Sequence, residues 1–331
     1  MYEVFGFYRF LNIKYLKKNK RLINEVLIKN NIRGTIIISK EGVNGTISAK
    51  EPDIKTTINK LKKILNFKDF NSFNKSKSLF LPFHKPRVKI KTEVVPMNLK
   101  LSQMIKKKDS HVDPKKWNKL IRNKKTLVID ARKPFEYDVG TFKGSTNPNI
   151  DNFRDFPKYL KNLKKNQPIA MFCTGGIRCE KASAYYKHKG FKNVYQLDGG
   201  IINYVRQVNE KGLENKFIGK NFVFDERRSE RISDDVIAQC HQCGSPADLH
   251  TNCANEACHL LFIQCDDCKE KMDNCCSSTC MEIHHLPYEE QKELRKGQAN
   301  SNDIFKKGRA DHLPYKKDLR NIFEVLKKDK I

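Results

Sequence analysis

Nine of the chain's 11 cysteines fall between Cys240 and Cys280, where an even spread would put about 1.4. So short a stretch has no other core to build on, and in a reducing compartment crowded thiols bind metal rather than pair as disulfides. CHQC, with Cys240 and Cys243, and CDDC, with Cys265 and Cys268, have the knuckle spacing usual for zinc. Cys253 and Cys258 lie between them, and CCSSTC follows with Cys275, Cys276 and Cys280. Taking the two knuckles as one site leaves Cys253, Cys258, Cys276 and Cys280 as a second, interleaved one. Two tetrahedral ions then use eight of the nine thiols, and Cys275 competes with Cys276 for a place. His241, His250, His259, His284 and His285 are substitute ligands, and unligated thiols in a small redox module are the alternative reading. Filled in this way the sites are structural, with no position open for catalysis, and zinc contributes on the order of 10 kcal/mol to folding. Spacing alone does not separate zinc from iron.

The rest of the chain follows other patterns. Residues 1–95 read as strand, helix, strand, strand, helix, strand, the βαββαβ order of a ferredoxin-like α+β sandwich. EVFGFYRF is the first strand, and KKNKRLINEVLIKN is a helix with Leu22 and Val26 on its apolar face. GTIIIS is a buried strand, KEGVNG turns the chain with Gly42 and Gly45 at positive φ, and TISA returns. Pro52 opens a helix whose face is Ile54, Ile58, Leu61 and Leu65, and LFLPFHKPRVKIKTEVV supplies the closing strand.

Residues 96–125 read as a basic linker with one short helix capped by Asp113 and Pro114. From Lys106 to Lys125 nine basic and two acidic residues leave a local charge of +7, which suits a solvated connector or an RNA-facing stripe. Residues 126–212 alternate the apolar runs TLVID, PIAMF and NVYQL with helical segments such as FPKYLKNLKK and CEKASAYYKHKG, the pattern of an α/β domain with a parallel sheet buried on both faces. Residues 213–331 form the Cys-rich module with a charged tail, in which LPYEEQKELRKGQANSND and FEVLKKDKI read as helices.

Between PIAMF and CEKASAYYKHKG lies CTGGIRC, residues 173–179. This places Cys173 at the carboxyl end of a strand, the edge where open α/β sheets bind ligands. The glycine pair lets successive N–H groups of Thr174, Gly175, Gly176 and Ile177 turn inward, and a helix N-terminus adds its positive dipole end. A thiolate suits such a loop, so Cys173 is the candidate nucleophile, with Arg178 closing the turn. Four residues separate Cys173 from Arg178, a tighter ring than the five of cysteine phosphatases, and it favours a persulfide sulfur over a phosphoryl group. Cys179 is either a resolving thiol for a persulfide or sulfenic acid, or a small buried residue of the helix.

CTGGIR, VIDARKPFEYDVGTFKGS (128–145) and VYQLDGGI (194–201) together resemble a rhodanese domain, a doubly wound parallel sheet. The resemblance makes Asp130 and Arg132 supporting residues, and it departs at TFKGS, where rhodaneses usually carry a histidine and isoleucine before the glycine. KEGVNGTIS in an amino-terminal sandwich, CTGGIRCEKASAY in the middle and the carboxyl-terminal cysteine cluster resemble, over nearly the whole chain, the bacterial rhodanese-type tRNA uridine hydroxylases. That resemblance implies oxygen-dependent formation of 5-hydroxyuridine at the wobble position of tRNA, dependent on the loop cysteine, with molecular oxygen as co-substrate. No flavin or nicotinamide fingerprint is legible, and hydroxylation comes from the resemblance alone. Sulfur transfer through a Cys173 persulfide and a non-catalytic tRNA-binding scaffold are the alternatives.

Charge agrees with the partner: 65 basic against 38 acidic residues leave +27, a field that favours RNA, although a biased genome also enriches lysine. No apolar run approaches the roughly 18 to 20 residues of a membrane span, and the first residues lack signal-peptide order. The expectation is a cytoplasmic protein with no membrane partner.

Overall fold

In the computed structural model, which describes residues 1–98, 110–159, 163–296 and 310–315, the alternation of EVFGFYRF becomes a strand buried on both faces. This strand, β1 (Tyr2–Phe10), turns Phe5 and Phe7 into one core while Val4 and Tyr8 are buried on its other side. It is followed by α1 (Leu16–Lys29), β2 (Arg33–Ser39), β3 (Gly42–Ala49), α2 (Glu51–Ile64), β4 (Ser72–Ser78) and β5 (Pro86–Ile90). The sheet order is β4-β1-β3-β2-β5, so the first four strands have the expected ferredoxin-like arrangement. Ile23, Leu27, Ile54 and Leu61 of the helices pack with Phe5, Phe7, Ile36, Ile38 and Ile47 of the strands.

Three local expectations for this region differ from what is found. The closing strand is the polar segment SFNKSKS, antiparallel to β1, and the stretch expected in that role supplies β5, a fifth strand parallel to β2. Ser72, Asn74 and Ser78 are the buried positions of β4, so apolar alternation could not reveal it. In α1 the buried residues are Ile23 and Leu27, one position on from Leu22 and Val26, which are half-buried. Gly45 is not in a turn: it pairs within β3, where a side chain would come within 3.0 Å of Phe7 and 3.1 Å of Ile36.

The middle of the chain holds β6 (His111–Val112), α3 (Pro114–Arg122), β7 (Leu127–Asp130), α4 (Pro134–Asp138), β8 (Gly140–Phe142), α5 (Phe156–Tyr159), β9 (Ile169–Phe172), α6 (Ile177–His188), β10 (Val194–Leu197) and α7 (Gly200–Lys211). The sheet is parallel, in the order β6-β10-β9-β7, and β9 is buried along its whole length. Asp113 caps α3 by accepting from the Lys116 N–H, as its sequence implied. The expected linker over 96–125 is corrected, however: β6 pairs with β10, and Trp117 of α3 is fully buried edge-to-face on Phe142 and Phe172. One tryptophan in a lysine-rich helix is enough to anchor it, because an aromatic side chain buries a large apolar area. Residues 99–109 of that segment lie outside the described residues, as do 160–162 of FPKYLKNLKK.

The last elements are β11 (Phe217–Phe222), β12 (Ser229–Arg231), β13 (His250–Asn252), β14 (Leu261–Ile263), α8 (Asp266–Lys271), α9 (Ser278–His285) and α10 (Tyr288–Arg295). The expected helix over 286–303 is α10 as far as Arg295; residues 297–303 and FEVLKKDKI lie outside the described residues. By its internal packing the chain divides into two units, Met1–Arg132 with Phe142–Lys216 and Asn221–Glu230, and Lys133–Thr141 with Phe217–Lys220 and the residues from Arg231 on. In the second unit β13 and β14 pair antiparallel, and two small apolar groups gather around cysteines: Val139, Ala238 and Ile263 with Cys240, and Leu260, Phe262 and Leu313 with Cys253 and Cys276.

Candidate active site and metal centres

CTGGIRC joins the end of β9 to the start of α6, with Gly176 as the helix cap at φ 96°. A left-handed cap is open to glycine at little strain, and a Cβ there would also approach the Tyr8 hydroxyl to 3.2 Å. The turn points the Gly176 N–H at Cys173 Sγ, 3.2 Å away. A second glycine pair fixes the loop from behind. Gly200 (φ 69°) lies where a Cβ would come within 2.4 Å of the Cys173 carbonyl, and the Ile201 and Ile202 N–H groups donate to the carbonyls of Cys173 and Thr174.

Cys173 is 1% exposed and Cys179, two residues into α6, is fully buried. Burial opposes a charge on Cys173, but the Cys179 thiol, the Arg178 guanidinium and the N–H groups of Cys179 and Arg178 outweigh it and bring Cys173 down to about 6. Burial, the Cys173 thiolate and the Asp130 carboxylate push Cys179 the other way, so it remains a thiol and donates to its neighbour. The rim formed by Thr174, Gly175, Ile177 and Arg178 is half-buried, which leaves the loop approachable from that side. Asp130 and Arg132, both fully buried, form a two-pronged pair with Arg132 Nε 2.9 Å and an Arg132 terminal nitrogen 2.6 Å from the carboxylate. Asn147 donates to both of their carbonyls, and the guanidinium lies over Phe172. This clamp holds the end of β7 beside the end of β9.

Several polar residues around the loop escaped the sequence reading. Glu180, next to Cys179, is 4% exposed and accepts from the Tyr8 hydroxyl at 3.1 Å and from Gln196 Nε2 at 3.0 Å, with His111 Nε2 3.0 Å away. Burial raises its carboxyl, but His111, Gln196 and Tyr8 together hold it below the usual carboxylate range. Burial and the charges of Glu180 and Cys173 keep the Tyr8 phenol protonated far beyond its ordinary range. Lys181, fully buried, reaches Glu41 at 2.7 Å, Glu93 at 2.8 Å and the Val95 carbonyl at 2.7 Å. Asn74 of β4 donates to the Gly199 carbonyl. Residues of β1, β4 and the β2–β3 turn thus converge on α6 and the loop, all within the first unit. The readable signal was charge: CEK sets an acid and a base directly after a cysteine on a helix that should be apolar toward the sheet, and KEGVNG carries the matching Glu41.

In the second unit the eight expected metal cysteines come together in the expected sets. The Sγ atoms of Cys240, Cys243, Cys265 and Cys268 lie within 4.8 Å of one another, as do those of Cys253, Cys258, Cys276 and Cys280, and Cys275 stands outside both. Individual S···S distances are 3.6 Å for Cys243–Cys265, 3.6 Å for Cys258–Cys276 and 3.7 Å for Cys276–Cys280. A tetrahedral ion with Zn–S near 2.3 Å requires sulfur–sulfur edges of about 3.8 Å, so the thiols fit such an ion. Gly244 (φ 81°) closes the first knuckle, its N–H donating to the Cys240 carbonyl, and Ser277 caps α9 by accepting from the Cys280 N–H. His312, which had no expected role, lies 3.2 Å from Cys276 Sγ through Nε2.

Three family models match the chain: residues 2–94 a "UPF0176 acylphosphatase like domain", 113–207 a "rhodanese-like domain" and 218–281 a "Rhodanase C-terminal" region. Among similar proteins, the tRNA uridine(34) hydroxylase of Pelagibacter ubique is 61% identical over 248 residues, 74% of this chain and 81% of that protein. Proteins of the same name from Leptospira interrogans and Yersinia pestis are 40% and 41% identical; each match covers 92% of this chain and, respectively, 84% and 87% of theirs.

Proposed function

The chain belongs to the tRNA uridine(34) hydroxylase family, and from that membership we propose that it hydroxylates the wobble uridine of tRNA to 5-hydroxyuridine at Cys173, with molecular oxygen as co-substrate. The observation that carries the residue assignment is the Cys173 thiol, brought down to about 6 beside Arg178 and a ring of N–H groups. At neutral pH this sulfur is a thiolate, the form that reacts. The N–H groups of Gly176, Arg178 and Cys179 face the sulfur, Thr174, Gly175, Gly176 and Ile177 are the loop that cradles the negative charge in this reading, and Arg178 adds a fixed cation. Cys179 supplies the thiol that stabilises and can resolve the reacting sulfur, while Asp130 and Arg132 hold the floor of the site.

The net charge of +27 supports tRNA as the partner, since neutralising phosphates is the common source of affinity for folded RNA. A wobble base is already unpaired in the anticodon loop and can enter a pocket without breaking a duplex. The two cysteine tetrads hold structural zinc in this reading; bound zinc cross-links segments that have little apolar core. No helix among the described residues is long and apolar enough to cross a membrane. A cytoplasmic location fits a tRNA substrate.

The test is nucleoside mass spectrometry of tRNA from cells lacking the protein, complemented with the wild-type chain or with Cys173→Ala. Restoration of 5-hydroxyuridine by the wild type alone is the expected result. Restoration by Cys173→Ala overturns the assignment to Cys173, and unchanged tRNA in the deleted strain overturns the activity.

A further inference from the structure

The hydroxylation read above leaves an electron balance to close. Dioxygen takes up four electrons on the way to two oxygens at the level of water. Converting the uridine C5–H to C5–OH supplies two of them, so a further two-electron donor is required.

Two thiols in contact are such a donor. Cys173 and Cys179 are buried in the same core cluster, Cys179 lies in the first turn of α6, the Gly176 N–H that caps this helix points at the Cys173 sulfur at 3.2 Å, and the Cys179 thiol helps to hold the Cys173 charge. Both side chains belong to that one buried cluster, and a disulfide requires their sulfurs to meet at roughly 2.05 Å. Cys179 follows Cys173 by six residues, in the helical turn that the loop runs into.

Resting on that reading of the function, we infer that the Cys173–Cys179 pair is the built-in reductant of the reaction and leaves each turnover as a disulfide. The atoms balance in three steps. Oxygen adds at C5, with the C5 hydrogen retained as the proton of a C5–O–OH group. The Cys173 thiolate then attacks the distal oxygen: the O–O bond breaks, an S–O bond forms and makes Cys173 a sulfenic acid, and the oxyanion left on C5 takes from water the proton that Cys173 had released, giving the hydroxyl group. Finally the Cys179 sulfur attacks Cys173, the S–O bond breaks, the departing hydroxide takes the Cys179 proton as water, and the S–S bond forms. In sum, uridine, dioxygen and two thiols give 5-hydroxyuridine, water and one disulfide. A low-molecular-weight or protein dithiol returns the pair to its reduced form. The geometry divides the labour: the half-buried rim leads to Cys173, which meets the oxygen, and the fully buried Cys179 meets Cys173.

The experiment uses the full chain, reduced with dithiothreitol, desalted without oxygen, mixed with unmodified tRNA and then exposed to air. Product is counted by nucleoside mass spectrometry and the disulfide by peptide mapping. Trypsin cleaves after Arg178, so a Cys173–Cys179 bond joins two peptides that are otherwise separate. The expected result is one 5-hydroxyuridine per chain with an equal yield of the linked peptides, and repeated turnover once dithiothreitol is added. Cys179→Ser is expected to complete one turnover and stop with Cys173 as a sulfenic acid, trapped by dimedone. Many turnovers without any thiol, or one turnover with both cysteines still reduced, overturn the inference while leaving the hydroxylase reading in place. Absence of product both with and without dithiothreitol overturns the hydroxylase reading itself, and the inference with it.

Discussion

At the scale of single residues, the reactivity of Cys173 is set by which groups face its sulfur. Its folded value is lowered to about 6, so the thiolate is present above that pH and lost below it. Alkylation of the wild-type chain by iodoacetamide, followed on the peptide ending at Arg178, is expected to rise about tenfold per pH unit below 6 and to level off above it. Arg178→Gln removes the opposing charge and is expected to move the midpoint upward, as does Cys179→Ala, which removes the donor thiol. A midpoint near the ordinary thiol value of about 8.5 in the wild type contradicts this account. Cys173 and Arg178 were legible because strand, glycine pair and helix start all mark the same turn. Tyr8 and His111 were not, because each lies far along the chain from the loop and meets Glu180 only after two sheets have formed.

Among elements, α6 is where the ferredoxin-like sheet and the loop are tied together, through Lys181. A buried ammonium held by Glu41 and Glu93 adds little net stability by itself, but stripping away one side of the cluster is severe. Lys181→Met leaves two carboxylates facing each other and is expected to lower the unfolding free energy by about 3 to 5 kcal/mol in urea titrations. Adding Glu41→Gln and Glu93→Gln to that variant is expected to recover part of the loss; no recovery contradicts the pairing. Burial alone would raise the Glu93 carboxyl, but Lys181 and the N–H groups of Met97 and Asn98 hold it below its ordinary value. The stability it contributes is therefore present above the ordinary carboxylate pKa and lost as pH falls through the lower, folded one. Elements with an apolar rhythm, such as α2, β7, β9 and β10, could be read directly from their residues. β4 and β6 could not: the first buries serine and asparagine, the second has two residues, and both are strands because a neighbour offers them a ladder.

For the molecule as a whole, two features lie beyond any one element: the paired tetrads and the net charge. If each tetrad holds one ion, metal analysis should give two per chain, and Cys240→Ser or Cys258→Ser should each remove one. Chelation is expected to unfold the second unit by hydrogen exchange at β13, β14 and α8, since structural zinc contributes on the order of 10 kcal/mol where apolar cores are small. Retained protection there after both ions are lost contradicts the structural role. The charge makes a different demand. With +27 spread over the chain, binding to tRNA should release condensed cations, and each neutralised phosphate adds to the slope of log affinity against log salt. Six or more such contacts weaken binding by about a thousandfold between 50 and 200 mM salt. Cys173→Ala should follow the same line as the wild type, because the loop thiolate is one anion in a field dominated by lysine. A flat response would mean that the basic excess reflects composition alone, and recognition of tRNA would then have to rest on contacts to the anticodon loop itself.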